Sequence, residues 1–162
     1  MNSSPLQAPA RYLTFKLADE LYAVDVANIR EILDVTTITK VPMSPDFMQG
    51  VINLRGNVVP VIDMRRKFGI SPTESTINKC IIVMEVLVNG ETVILGALAD
   101  SVQEVLELEP DQIEPAPRIG TMLEDDVIKG MGRHNDDFLI ILDVDKIFTF
   151  EELAIASEQT AV

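Results

Sequence analysis

The sequence contains one cysteine, Cys80, and one histidine, His134, among 162 residues. A lone thiol excludes an internal disulfide and fits a reducing compartment. With a single imidazole and no C-x-x-C or H-E-x-x-H spacing, the ligands for a transition-metal site are missing. Cations are scarce too: 13 basic residues stand against 26 acidic ones, a formal net charge of −13 and a pI near 4.3. That balance argues against nucleic acid, whose phosphates are bound through Lys and Arg, and against direct docking on an anionic membrane. No unbroken apolar run exceeds five residues, Phe138–Leu142 being one, whereas a bilayer span needs about 20. Residues 1–10 hold neither a basic cluster nor an apolar stretch of export-signal type, and read as a disordered tail. A cytoplasmic location is expected.

Catalytic groupings are equally thin. A Ser/His/Asp or Cys/His arrangement would have to use His134, which stands in a polar turn with no G-x-S-x-G elbow nearby. Cys80 opens an apolar strand and reads as a core side chain. There is no P-loop, and Gly130-Met131-Gly132 falls within a strand rather than before a helix. The acidic groups Glu124-Asp125-Asp126 and Asp143-Val144-Asp145 lack the ligand spacing of an EF-hand. Asp63 and Asp143 occupy matching places, but each enters a helical turn as Asp-Met-Arg or Asp-Val-Asp, which suits an N-cap better than a proton-sharing pair. No catalytic, cofactor-binding or metal-binding residue is assigned.

What the chain does have is apolar material: 47% hydrophobic residues and a mean hydropathy of +0.21, enough to build a core. The pattern is mostly that of strands. Arg11–Leu17 alternates, with Leu13, Phe15 and Leu17 on one face. Gly50–Leu54 and Val58–Asp63 flank Arg55-Gly56-Asn57, where Gly56 can take positive φ. Cys80–Val88 and Glu91–Ala99 flank Asn89-Gly90, a strong hairpin signal. Val127–Gly132 and Phe138–Val144 form a further pair. Asp25–Leu33 reads as a short helix, with Val26, Ile29, Ile32 and Leu33 on one stripe, and Glu151–Ala156 as a final one.

The two halves resemble each other. Ile29-Arg30-Glu31-Ile32-Leu33 recurs as Val102-Gln103-Glu104-Val105-Leu106 at an offset of 73, while Val61-Ile62-Asp63 recurs as Ile141-Leu142-Asp143, and Gly50 as Gly130, at an offset of 80. The halves differ in charge: residues 1–80 carry 9 basic and 8 acidic side chains, residues 81–162 carry 4 and 18. Two units this small bury little surface alone and are expected to pack as one domain over 11–152. They are expected as five-stranded, SH3-like barrels over about 11–75 and 79–150, adjacent or intertwined, followed by a helix end and tail at 153–162. At the tip of the first-half hairpin, Asn53-Leu54-Arg55-Gly56 presents a cation beside a special backbone position. Arg55 is either a solvated turn residue or a contact for a partner's carboxylates or carbonyls.

The stretch Gly50-Val51-Ile52-Asn53-Leu54-Arg55-Gly56-Asn57-Val58-Val59-Pro60-Val61-Ile62-Asp63-Met64-Arg65 resembles the signature of the CheW family of chemotaxis coupling proteins. Tyr22–Val26 with Ile29–Ile32, Asp100–Leu106, Ile113–Pro117 and Leu139–Phe148 are similar to the same family, so the resemblance covers residues 10–150. It implies a mainly β fold of two SH3-like barrels and a non-catalytic scaffold joining the cytoplasmic tips of methyl-accepting receptors to the regulatory domain of the kinase CheA, with contacts between couplers in receptor arrays. Service in another receptor–kinase pathway, such as surface motility or second-messenger control, is the alternative. The resemblance matches Arg55 to the signature arginine of receptor coupling and Glu31 to the acid on the first helix-like segment. Ile29 and Gly50 fall where partner contacts have been placed, and Asn53 and Gly56 flank the arginine.

Overall fold

The computed structural model describes residues 9–17, 20–35, 37–68, 80–88, 90–115, 127–134 and 136–147. The predicted helix Glu151–Ala156, most of the N-terminal tail, the C-terminal tail and the acidic run Glu124–Asp126 lie outside them. Ten strands are described: β1 (Ala10–Leu17), β2 (Glu20–Asp25), β3 (Ile29–Asp34), β4 (Met48–Leu54), β5 (Asn57–Asp63), β6 (Cys80–Val88), β7 (Glu91–Ala99), β8 (Ser101–Leu108), β9 (Ile128–His134) and β10 (Asp137–Leu142). One helical turn, α1 (Met64–Lys67), follows β5, and short 3-10 turns follow β2, β8 and β10.

The strands form two sheets of five, ordered β8-β1-β2-β10-β9 and β3-β6-β7-β5-β4. Each sheet curls until its outer strands meet through a narrow bridge. The segment after β3 pairs Thr39 with Val51 of β4, and the segment after β8 pairs Glu114 with Met131 of β9. This closure satisfies edges that would otherwise be exposed.

The repeat seen in the sequence is real in three dimensions, with β1–β5 matching β6–β10. The barrels, however, are intertwined rather than adjacent, and do not follow the spans of about 11–75 and 79–150. Each takes its first two strands from one repeat and its last three from the other: β1 and β2 join β8–β10, while β6 and β7 join β3–β5. The exchange follows from the connections. Three residues, Val26–Asn28, separate β2 from β3, and Asp100 alone separates β7 from β8. These links carry the chain from one sheet to the other instead of turning it back as a hairpin. At the second crossing the Asp100 N–H donates to the Lys16 carbonyl of β1 at 2.9 Å, locking the two sheets together.

A second correction concerns Asp25–Leu33, which is not helical. Only Val26–Asn28 form a 3-10 turn, capped by the Asp25 carboxylate accepting from the Ala27 N–H at 2.9 Å; Ile29–Asp34 is a strand paired with β6. Ile29, Ile32 and Leu33 fit a helical stripe, but the pairing available from β6 and the β-branched isoleucines outweigh that local pattern.

Three apolar clusters hold the fold. One fills each barrel: Tyr12, Ala23, Leu108, Leu139 and Ile141 in the first, Ile52, Val59, Val61, Ile81 and Val83 in the second. The largest lies between the barrels and includes Leu13, Phe15, Leu17, Ile62, Met64, Ile82, Met84 and Leu95. The alternation of β1 therefore separates two buried faces, not a buried face from a wet one. Rings of Phe15, Tyr22 and Phe68 stack in series at 6.1 and 6.0 Å. Each such fully buried side chain contributes about 1.5–3 kcal/mol. Asp63 and Asp143 serve as N-caps, accepting from the N–H groups of Arg65 and Asp145 at 3.1 and 3.2 Å.

Candidate interaction surface

The β4–β5 hairpin turns on two residues, Arg55 (φ 51°) and Gly56 (φ 86°), the pair of positive values a type I′ turn requires. The connection is one residue shorter than the sequence suggested, because Asn57 already pairs with Leu54. A left-handed arginine costs on the order of 1 kcal/mol, and two neighbours hold it there. The Asn53 Oδ1 accepts the Gly56 N–H at 2.8 Å, closing the turn. The Arg55 guanidinium reaches across to β3 and grips both oxygens of Glu31.

Arg55 is 70% exposed and Glu31 27%, so the pair is a surface feature. Hydrogen bonding by Arg55, reinforced by its charge, pulls the Glu31 carboxyl below the usual carboxylate range and raises the Arg55 pKa in turn. On β3 the register slips between Ile29 and Glu31, leaving Arg30 as an extra residue. Such a bulge re-aims side chains; Arg30 and Glu31 both line a groove here, and the Arg30 Nε lies 3.4 Å from Glu85 on β6. The open groove, about 750 Å³, runs from this β3 edge past Arg55 and Val58 to the start of β7 at Glu91–Ile94. Val58 is 53% exposed along it.

Of the residues singled out in the sequence, Arg55, Glu31, Asn53 and Gly56 thus meet on one surface. Glu31 does so from a strand, not from a helix-like segment. Ile29 is half-buried and packs against the core between the barrels. Gly50 is buried, at φ 152°, and a Cβ there would stand 2.3 Å from the Thr39 carbonyl oxygen. Its place is explained by the strand that closes the barrel over it. Cys80 is buried at the head of β6, and burial, with Asp34 and Asp100 nearby, pushes its thiol pKa up, away from nucleophile chemistry. Among the described residues, no group of three or more His, Cys, Asp or Glu side chains could hold a metal ion, and no helix is long and apolar enough to cross a membrane. Sequence reasoning missed Arg30, Val58 and the start of β7 as parts of this surface; Pro60, a proline inside a strand pattern, was the available signal.

Residues 11–152 match the family model described as the CheW-like domain. The chain belongs to the CheW-like domain family. It is 37% identical over 147 residues to the chemotaxis protein CheW of Klebsiella aerogenes, covering 89% of this chain and 84% of that protein. To the CheW of Thermotoga maritima it is 34% identical over 146 residues, covering 88% and 89%. The crystal structure of the scaffolding protein TtCheW from Thermoanaerobacter tengcongensis superposes with a TM-score of 0.77 at 32% identity, covering 90% of this chain and 96% of that one. The two five-stranded sheets are those of this family, and the chain is a scaffold of the CheW type rather than an enzyme.

Proposed function

We propose that the protein is a cytoplasmic adaptor that couples methyl-accepting chemotaxis receptors to the regulatory domain of CheA in membrane-associated arrays. Membership of the CheW-like family over nearly the whole chain supports this reading most. The Arg55–Glu31 pair supports it locally: an exposed guanidinium, pre-set by a rigid turn and a neighbouring carboxylate, loses little entropy when it engages a partner. Assembly rather than bond chemistry is the work of such a protein. By holding receptor and kinase at once, it makes the state of one bias the other, a coupling worth about 1–3 kcal/mol in typical cases.

Calorimetric titration of the chain with the CheA regulatory domain of the same cell, at two salt concentrations, tests the reading. Saturable one-to-one binding is the expected result. A folded chain that binds no CheA regulatory domain of its own cell would leave the fold standing and remove the coupler role.

A further inference from the structure

The segment that joins β3 to β4 is fastened at several places. Thr39 and Val51 exchange main-chain hydrogen bonds at 2.9 and 2.8 Å, the Ser44 hydroxyl donates to the Val41 carbonyl at 2.8 Å, and the Met48 N–H donates to the Pro45 carbonyl at 2.9 Å. Val41 and Phe47 pack against the core between the barrels. In the middle of this fastened segment the chain turns at Pro42-Met43. The proline ring holds φ at about −65°, and Met43 stands at φ 61°, the order of signs of a type II turn. The third place of that turn suits Gly or Asn, which bear positive φ at little cost; a long apolar side chain there is uncommon and strained.

The side chain carried at that cost points into water. Met43 is 92% exposed, and among the described residues no other exposed large apolar side chain exceeds 56%. The remaining described methionines are sheltered: Met48, Met64 and Met84 are buried in the core between the barrels, and Met131 is half-buried in β9. One described thioether therefore faces solvent fully, and it does so from a segment tied down on both sides, not from a frayed end.

We propose that Met43 is a site of reversible oxidation, with a peroxide as oxidant and a thiol-dependent reductase as its reversal. The sulfur lone pair attacks one peroxide oxygen, the S–O bond forms as the O–O bond breaks, and the proton on the new sulfoxide oxygen passes to the departing hydroxide to give water. Sulfur loses two electrons and the peroxide gains them. In the reverse direction two thiols supply the electrons, end as a disulfide, and the oxygen leaves as water. The product is a polar, chiral side chain with a new hydrogen-bond acceptor, at a place where no core contact is lost. The same oxygen on Met64 or Met84 would carry a polar group into the core. Oxidation at Met43 thus changes the surface before β4 and leaves the fold alone. The segment enters β4 at the end opposite Arg55, so this site is additional to the coupler reading and does not rest on it.

The test is exposure of the folded full chain to millimolar hydrogen peroxide, with oxygen uptake at each methionine followed by peptide mass mapping. The Met43 sulfoxide should form about tenfold or more faster than those of Met48, Met64 and Met84. In concentrated denaturant the difference should vanish. Equal rates at the four positions in the folded chain overturn the proposal, as does a difference that persists in denaturant, which would lie in the local sequence and not in the structure. Methionine sulfoxide reductases for both sulfoxide epimers should then return the Met43 peptide to its starting mass. A sulfoxide that neither enzyme reduces on the folded chain overturns reversibility. The unfolding midpoint should be the same before and after a dose that converts Met43 and spares the three buried methionines; a clear fall would give the side chain a structural role and overturn the claim that oxidation leaves the fold alone.

Discussion

In the first repeat Gly50 lies under Thr39 where the barrel closes; in the second Gly130 lies under Glu114 at the same step. The Asp63 N–H donates to the Phe47 carbonyl at 2.7 Å, and the Asp143 N–H donates to the Val127 carbonyl at 2.8 Å. These agreements hold atom for atom at the places that build the barrel. They fail elsewhere. Pro60 stands against Ile140, Arg65 against Asp145, and the tip residue Gly56 against Asp136, which takes φ 73° in its turn. Val58 and Phe138 are both exposed, at 53% and 56%, yet Phe138 is covered by the Arg133 guanidinium 5.2 Å from its ring centre. The common positions are demanded by closure and capping. The groove and the arginine tip arise only where the copies diverge.

The widest gap between the copies is expected at the turns after β5 and β10. Arg65 is buried, with its Nε 3.7 Å from the equally buried Asp100, whereas its counterpart Asp145 is exposed. Arg65→Met should destabilise the fold by about 3–5 kcal/mol, because a buried carboxylate loses its cation. Asp145→Ala should cost about 1 kcal/mol, the worth of one hydrogen bond at the surface. Denaturant unfolding of both variants checks this, and equal losses would mean the two turns are equivalent after all.

The two glycines come next. Gly50→Ala combines positive φ with a clash of 2.3 Å against backbone, and about 3 kcal/mol is expected. At Gly130 the first obstacle is the Ile113 Cγ2 at 2.5 Å, the movable end of a side chain, so Gly130→Ala should cost about 1–2 kcal/mol. A Gly130→Ala loss as large as that of Gly50→Ala would show that the backbone at the second closure yields no better than the first.

Arg55→Ala should leave the unfolding midpoint essentially where it is, since the pair it breaks is exposed, and weaken receptor-dependent control of kinase activity. Unchanged control in a reconstituted receptor–kinase assay would remove Arg55 from the interface. The smallest effect is a titration. Because Arg55 lowers the pKa of the Glu31 carboxyl in the folded chain, the pair is intact at neutral pH and is lost only as pH falls through that lowered value. Side-chain resonances of Glu31 should titrate lower than those of an unpaired glutamate, and move back up in Arg55→Ala.

Much of this was legible in the chain itself. Asp63 and Asp143 as caps, the Asn89-Gly90 hairpin, Cys80 as core and the internal repeat all depend on neighbours in sequence or on side-chain type. The Arg55 tip was legible as a cation at a special turn, but its partner was not: Glu31 lies 24 residues away and was placed on a helix, so nothing local joined the two. The groove was invisible for the same kind of reason. Its walls come from β3, the β4–β5 turn and the start of β7, which only the tertiary structure brings together.

The sequence by itself determined most of the strands, the places of the hairpins to within a residue and that they come in two matching sets, because periodicity, turn chemistry and capping act within a few residues; β3, read as a helix, needed its partner β6. Which set each strand would join was decided by tertiary structure alone. Two similar copies offer nearly equal local partners, and the choice rests on the three-residue and one-residue links after β2 and β7, which send the chain across to the other barrel and bury one core between the two.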